Sequence, residues 1–319
     1  MYHQVKLEKG MYHLSGKSFL QALEEADPSK QYGSTPLARL DAYERQLKRF
    51  DIRVSGGNCD RVEKFFTTTE SAVLFPEFVR RSIVQGMEEA ILDDMTAVVS
   101  KCESNRYQGC VLNETSAYAT TSEGNVMPIS AIQESSTVVS LYKFGRNITA
   151  SYEAVRQQRI DVFALMLRRV GKELADSIVS NAVSVLITGV TPIPKTGETL
   201  AYADLAKLYG SFGSFQMKAV MASPAVMAQI LVMSQMQKAS SEDVTEIRLP
   251  FGSKLINCPQ LGNSTIIGLD TDFALEQIRS SDVVLETDKL INCQLDSIGV
   301  SVNVGFRVLM PDAVKVLSV

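Results

Sequence analysis

From Asp161 to Leu186 the chain reads DVFALMLRRVGKELADSIVSNAVSVL, and its apolar positions recur at steps of three and four. Phe163, Leu167, Val170, Leu174, Ile178, Ala182 and Val185 share one stripe. Arg168, Arg169, Lys172, Glu173, Asp176, Ser180 and Asn181 fall on the opposite face. The spacing predicts one amphipathic helix, a rod of roughly 40 Å at 1.5 Å rise per residue. Asp161 is its expected N-cap, and Gly189 with Pro192 its expected stop. No proline interrupts the run, and one glycine, Gly171, lies within it.

Upstream, residues 1–35 are polar and irregular, with a short helix expected at 17–26. In PLARLDAYERQLKRFDI the residues Leu37, Leu40, Tyr43, Leu47 and Phe50 again step by threes and fours, predicting an amphipathic helix. FPEFVRRSIVQGMEEAILDDM places Phe78, Val79, Ile83 and Met87 on one helical face. Residues 107–147 change texture to Ser, Thr, Gly, Val and Glu, with strand-like stretches on both sides of SEGNVMPIS. They read as a long β-hairpin or extended loop with no evident core of its own. No lysine or arginine occurs between Arg106 and Lys143, whereas Glu114, Glu123 and Glu134 do.

Beyond residue 190 the pattern is mixed α/β. YADLAKLYGSF reads as a helix, MKAVMAS as a strand, and Ser223-Pro224 as the cap of a methionine-rich helix. STIIGLD reads as a strand and DFALEQIR as a short helix. The stretch SDVVLETDKLINCQLDSIGVSVNVGFRVL supplies two strands, the second alternating Val300, Val302, Val304, Phe306 and Val308.

Composition narrows the chemistry. With 319 residues, 45% of them hydrophobic, the chain can bury one large core or two modest ones. A net charge of −4 is not the basic excess of a nucleic-acid binder, although it permits enclosing nucleic acid without gripping it. No apolar run approaches the roughly 20 residues of a membrane span, and no secretory signal is expected at MYHQVKLEKG. The five cysteines are scattered without a CxxC and read as reduced thiols. His3 and His13 are the two histidines, both near the start, and no GxGxxG, GxxxxGK[ST] or HExxH occurs. No catalytic residue, cofactor or metal is expected.

The order of elements resembles the major capsid protein of tailed bacteriophages, the Hong Kong 97-type fold. EGNVMPIS and then STVVSLYKFGRNITASYEAVRQQRIDVFALMLRRVGKELADSIVSNAV look like that family's passage from extended loop into spine helix. LETDKLINCQLDSIGVSVNVGFRVLMPDAVKVL looks like its closing strands and final segment. The resemblance covers roughly residues 70–319. It implies an α+β fold: an N-terminal arm at 1–70, a first piece of peripheral domain at 71–106, and an extended loop at 107–147. A spine helix within 148–190, an α/β axial domain at 191–275 and returning peripheral strands at 276–319 complete it.

By that resemblance the chain is a head protein. It would assemble with itself as hexamers and pentamers into an icosahedral virion shell in the bacterial host cytoplasm. The shell would enclose double-stranded DNA without reading its sequence, with a portal and scaffold or decoration proteins as partners, and with no membrane. Phe163, Leu167, Val170, Leu174 and Ile178 would form the spine's core face. Glu114, Glu123 or Glu134 of the loop would meet Arg156, Arg159, Arg168, Arg169 or Lys172 of a neighbouring copy. Some family members cross-link a loop lysine to a neighbour's asparagine; residues 107–142 hold no lysine, so no such bond is expected here. Two alternatives stand beside this reading: an encapsulin-type nanocompartment shell, against which the length of residues 1–65 argues, and a soluble α/β enzyme.

Overall fold

The computed structural model describes the chain except for residues 1–4, 15, 34, 89–90, 115–119, 240–245, 281 and 291–294. In chain order the elements are α1 (Phe19–Ala26), α2 (Ala42–Arg49), α3 (Thr69–Ala72), α4 (Leu74–Glu88) and α5 (Leu92–Met95). Strands β1 (Val98–Lys101), β2 (Arg106–Glu114), β3 (Ser130–Ser140) and β4 (Tyr142–Ser151) follow, then α6 (Tyr152–Gln157) and α7 (Ile160–Ile187). The remainder is β5 (Ile193–Pro194), α8 (Tyr202–Gly210), β6 (Ala219–Ala222), α9 (Pro224–Val232) and α10 (Ser234–Ala239). It closes with β7 (Lys254–Asn257), β8 (Thr265–Leu269), β9 (Leu275–Arg279), β10 (Val284–Leu290), β11 (Leu295–Val308) and β12 (Val314–Ser318).

The chain divides into two compact units. The first holds residues Met1–Glu89, Gly145–Ala175 and Val283–Ser301. Its helices begin where the sequence supplies caps: Ser18 with Gln21, and Asp41 with Glu44, each form a reciprocal capping box. The second box explains a difference from the periodicity. The run from Pro36 to Phe50 is not one helix but a 3-10 turn at Pro36–Arg39, a break, and then α2. Asp41 takes the cap, and the chain must leave helical geometry at a cap.

Residues 1–70, expected as an arm, are seated within this unit. The Tyr43 hydroxyl donates to the carbonyl of Leu74 at 3.2 Å and the Tyr12 hydroxyl to that of Val73 at 2.7 Å. Arg81 of α4 pairs with Asp41 at 2.7 Å and lies over the Tyr43 ring. Phe65, Phe75 and Phe78 with Phe163 of α7 form an aromatic cluster, all four buried. The crossing of α4 and α7 brings backbone against backbone. A Cβ built on Gly171 would overlap the Ile83 carbonyl oxygen, and one built on Gly86 would overlap that of Arg168.

The second unit holds Ala90–Phe144, Asp176–Asp282 and Val302–Val319. One sheet runs β5-β12-β8-β6-β7. Its core gathers Leu205 and Leu208 of α8, Val220 of β6, Val226 and Ile230 of α9, and Ile266 of β8. As the sequence indicates, Ser223 caps α9, accepting from the Val226 amide, with Pro224 in the first turn. In a second sheet β9 lies between β1 and β11. Within this unit the later half of β11 pairs antiparallel with β9, and β9 pairs parallel with β1.

DFALEQIR, expected as a short helix, is instead a turn running into strand β9. Leu275, Glu276, Gln277 and Ile278 are buried on both faces of the strand. That burial between two ladders outweighs the weak helical preference of the segment. β2 and β3 form a separate two-stranded sheet, and β4, which begins inside the residues expected as loop and runs beyond them, is not part of it.

Candidate inter-subunit surface

α7 spans 28 residues, two more than its pattern indicated. It begins at Ile160, so Asp161 is not the cap but lies in the first turn. There its carboxylate accepts from the Val162 amide at 2.8 Å and from Arg159 at 2.7 and 3.2 Å. The Arg159 bond holds that carboxyl below its ordinary value. Gly189, with φ of 81°, ends the run. Along the expected core stripe Phe163, Leu167, Leu174 and Ile178 are buried, while Val170 is half-buried. Gly171 faces α4 at that turn and lets the two backbones close up.

The other face of α7 is not purely polar. Val162, Leu165 and Met166 are exposed, Leu165 at 63%. Leu165 and Met166 join Arg168, Arg169 and Lys172 around a hollow of about 570 Å³. Arg169 reaches Glu173 one turn on at 3.0 Å. Arg168 is half-buried, and its Nε has no hydrogen-bond partner among the described residues; the same is true of Arg156, whose guanidinium lies 5.0 Å over the Phe66 ring. Lys172 is exposed. Arg159, also exposed, is engaged by Asp161.

The hairpin carries both carboxylates and exposed apolar side chains. β2 and β3 pair antiparallel from Arg106 opposite Ser140 to Glu114 opposite Ser130. Along it Val111, Leu112, Ile132 and Val138 are exposed, and at its tip Val126, Met127 and Ile129 are too, Val126 at 87%. Glu123 and Glu134 are exposed. The Glu114 backbone pairs within the hairpin, and its side chain lies outside the described set. None of the loop glutamates meets the cations of α6 and α7 in an ion pair given by the described residues of one chain. The charges are readable in the sequence, and so, from VMPI and the spacing of Val162, Leu165 and Met166, are the apolar tip and the apolar trio on α7; their exposure is not.

Among the described residues no group of three or more His, Cys, Asp or Glu side chains could hold a metal ion. No helix among them is long and apolar enough to cross a membrane.

A family model described as phage capsid protein matches residues 133–284, just under half of the chain. No curated protein matches. Solved structures agree on the fold. The capsid of an empty GTA particle is 14% identical, with a TM-score of 0.56, covering 72% of this chain and 89% of that one. Microbacterium phage Oxtober96 is 10% identical, with a TM-score of 0.52, covering 71% and 90%. The holo-SrpI encapsulin from Synechococcus elongatus PCC 7942 is 14% identical, with a TM-score of 0.51, covering 70% and 84%. The class of fold is thus defined: an α+β architecture shared with solved phage capsids and an encapsulin. The chain is similar to phage capsid proteins and has the Hong Kong 97-type capsid fold.

Proposed function

We infer that this chain is a major capsid protein, a structural subunit whose work is to associate with copies of itself into a virion shell. The observation that carries the reading is the hairpin. It is a folded arm with exposed apolar side chains on both strands and at its tip, on a chain matched by a phage capsid family. A two-stranded ribbon on its own is marginal in water, and an exposed apolar patch of this kind marks a binding surface. The copies form hexamers and pentamers closing an icosahedral shell around double-stranded DNA, held without base contacts, as the net charge of −4 suits. A portal and scaffold or decoration proteins are its further partners, and assembly takes place in the host cytoplasm. The capsid fold leaves the soluble-enzyme alternative without support. The encapsulin likeness keeps a nanocompartment shell as the second reading.

Two measurements test this. The purified chain is expected to elute as capsomers or shells, far from 35.0 kDa, and a stable monomer overturns the proposal. Electron microscopy of natural particles separates the two shells: packaged DNA with a portal vertex, or protein cargo and neither.

The hairpin of one copy docks on α7 of the next. Its apolar tip covers Val162, Leu165 and Met166, and Glu114, Glu123 or Glu134 meets Arg156, Arg159, Arg168, Arg169 or Lys172. Arg168 and Lys172 are best placed, since Arg159 and Arg169 already hold carboxylates of their own chain. An arginine fork can take a carboxylate through two hydrogen bonds. Each exposed pair contributes only about 0–1 kcal/mol, but repetition over a whole shell makes assembly salt-sensitive. Arg168→Glu with Arg169→Glu is therefore expected to suppress assembly at low salt. Adding Glu123→Lys and Glu134→Lys is expected to restore it. Light scattering reads both; wild-type assembly of the first variant, or no recovery in the second, excludes the contact.

A further inference from the structure

The register of the hairpin breaks at one place. Gln108 pairs with Val138 and Cys110 with Glu134, so Gly109 alone faces the three residues Ser135, Ser136 and Thr137. Such an irregularity bends a ribbon. Here it divides the hairpin into a root, Arg106–Gln108 with Val138–Ser140, and a distal part carrying the tip. The bend is filled from outside the hairpin. A Cβ built on Gly109 would overlap the guanidinium of Arg307, so the Arg307 side chain lies flat against bare backbone, a use of glycine inside a strand that marks close approach. From there Arg307 Nη2 donates to the Cys110 carbonyl at 3.2 Å.

Arg307 is itself held. Its Nε donates to Glu276 Oε2 at 2.6 Å. The Glu276 carboxylate, 3% exposed, also accepts at Oε1 from Ser100 Oγ at 2.5 Å and from the Tyr107 hydroxyl at 2.9 Å. Side chains from β1, the hairpin root and β11 thus converge on one buried carboxylate of β9. Burial alone would raise the pKa of that carboxyl. The bonds from Ser100, Arg307 and Tyr107 outweigh burial and hold it below its ordinary value, so it is an anion at neutral pH. The bonded network over-determines where the guanidinium sits, and the guanidinium sits in the bend.

We propose that Arg307 and Glu276 are positioning residues that set the angle at which the distal hairpin leaves its root, and through it the geometry of the particle. The consequence for the particle rests on the shell-subunit reading; the pinned bend does not. Arginine suits the position because a planar fork can bond the carboxylate with one edge and a backbone carbonyl with the other. A lysine would have to reach both acceptors from a single nitrogen.

The test uses the full chain and three variants: Arg307→Lys, Glu276→Gln and Tyr107→Phe. Amide exchange is read at residues 108–112 and 132–138, beside global thermal unfolding and the diameters of assembled particles. Arg307→Lys is expected to speed exchange at the bend by roughly tenfold or more, the scale of one lost charge-assisted hydrogen bond. Exchange in β6 and β8 stays unchanged, and particles become heterogeneous in diameter. Glu276→Gln follows in the same direction. Tyr107→Phe, which removes one hydroxyl bond, gives a smaller local change and keeps the proposal testable if either other variant fails to fold. Wild-type exchange at the bend in the folded variants overturns the proposal, as does acceleration spread evenly over the chain. Faster exchange with an unchanged single diameter overturns its link to particle geometry. If the wild-type chain forms no shells, the functional reading fails and the exchange data still decide the bend.

Discussion

Gly171→Leu yields no soluble folded protein, and Gly171→Ala folds with lower stability; both outcomes are expected from the crossing of α4 and α7. Helix propensity alone argues the opposite, since alanine in place of a helical glycine stabilises by about 1 kcal/mol. The crossing decides the sign. A Cβ on Gly171 meets the carbonyl oxygen of Ile83, and a Cβ on Gly86 meets that of Arg168. Each obstacle is backbone, so no side-chain rotation clears it. α4 would have to move as a body, carrying Leu74, Phe78, Val79 and Ile83, all buried. Interiors packed at crystal density do not absorb such a shift locally. Overpacking costs about 1–3 kcal/mol and sometimes more, which outweighs the propensity gain for alanine and grows with leucine. The same reasoning makes Gly86→Ala destabilising, and the double variant worse than either. Thermal unfolding and soluble yield measure this. A Gly171→Ala chain at least as stable as wild type would show that the helices separate freely and that the crossing is not set by its glycines.

That crossing marks the boundary of what was legible in the sequence. The length and stop of α7 were readable because 3.6-residue periodicity and a glycine terminator are local signals. The reason for a glycine in the middle of the helix was not, because it lies in Ile83 and Arg168, whose carbonyls no pattern displays. The closing strands were readable from the alternation of Val300, Val302, Val304 and Phe306. β9 was not: ALEQI has no alternation, since both of its faces are buried. In the hairpin, the turn-like SEGNVMPIS and its flanking strands were visible, and so were the glutamates and the opposing cations. The pin at its bend was invisible, being made of Ser100, Tyr107, Glu276 and Arg307, which only tertiary structure brings together. The N-terminal stripe of Leu37, Leu40, Tyr43 and Leu47 reads as amphipathic, but periodicity names no partner; the structure joins Tyr43 to the Leu74 carbonyl at the start of α4.

Asp27→Ala is expected to release that N-terminal segment. Arg45 is fully buried, and its five N–H donors are all taken. Nε donates to Asp27 Oδ2 at 2.9 Å, and Nη1 to Ser29 Oγ at 3.0 Å and the Leu40 carbonyl at 2.6 Å. Nη2 donates to the Asp27 carbonyl at 2.5 Å and to Glu24 at 3.4 Å. The Tyr32 ring lies 4.7 Å beneath the guanidinium, and the Tyr32 hydroxyl donates to Asp27 Oδ1 at 2.7 Å. Gln46 closes the set at 3.2 Å from Asp27 Oδ2. This cluster ties α1, the turn after it and α2 into one body, and that body holds α4 through Tyr43 and Asp41 and α3 through Arg49. Removing the carboxylate leaves a buried cation whose remaining carboxylate partner, Glu24, is 45% exposed. Breaking a buried pair in this way costs roughly 3–5 kcal/mol, more than helices this short can supply on their own. Replacing both partners, as Asp27→Leu with Arg45→Met, should cost less than Asp27→Ala alone, because no charge is then stranded. Limited proteolysis is the measurement. In Asp27→Ala, cuts should appear between residues 5 and 66 while the second unit, with its core around Leu205, Val220 and Ile266, stays intact. If Asp27→Ala resists protease as wild type does, or the double replacement is the more sensitive of the two, the buried pair is not what holds the segment in place.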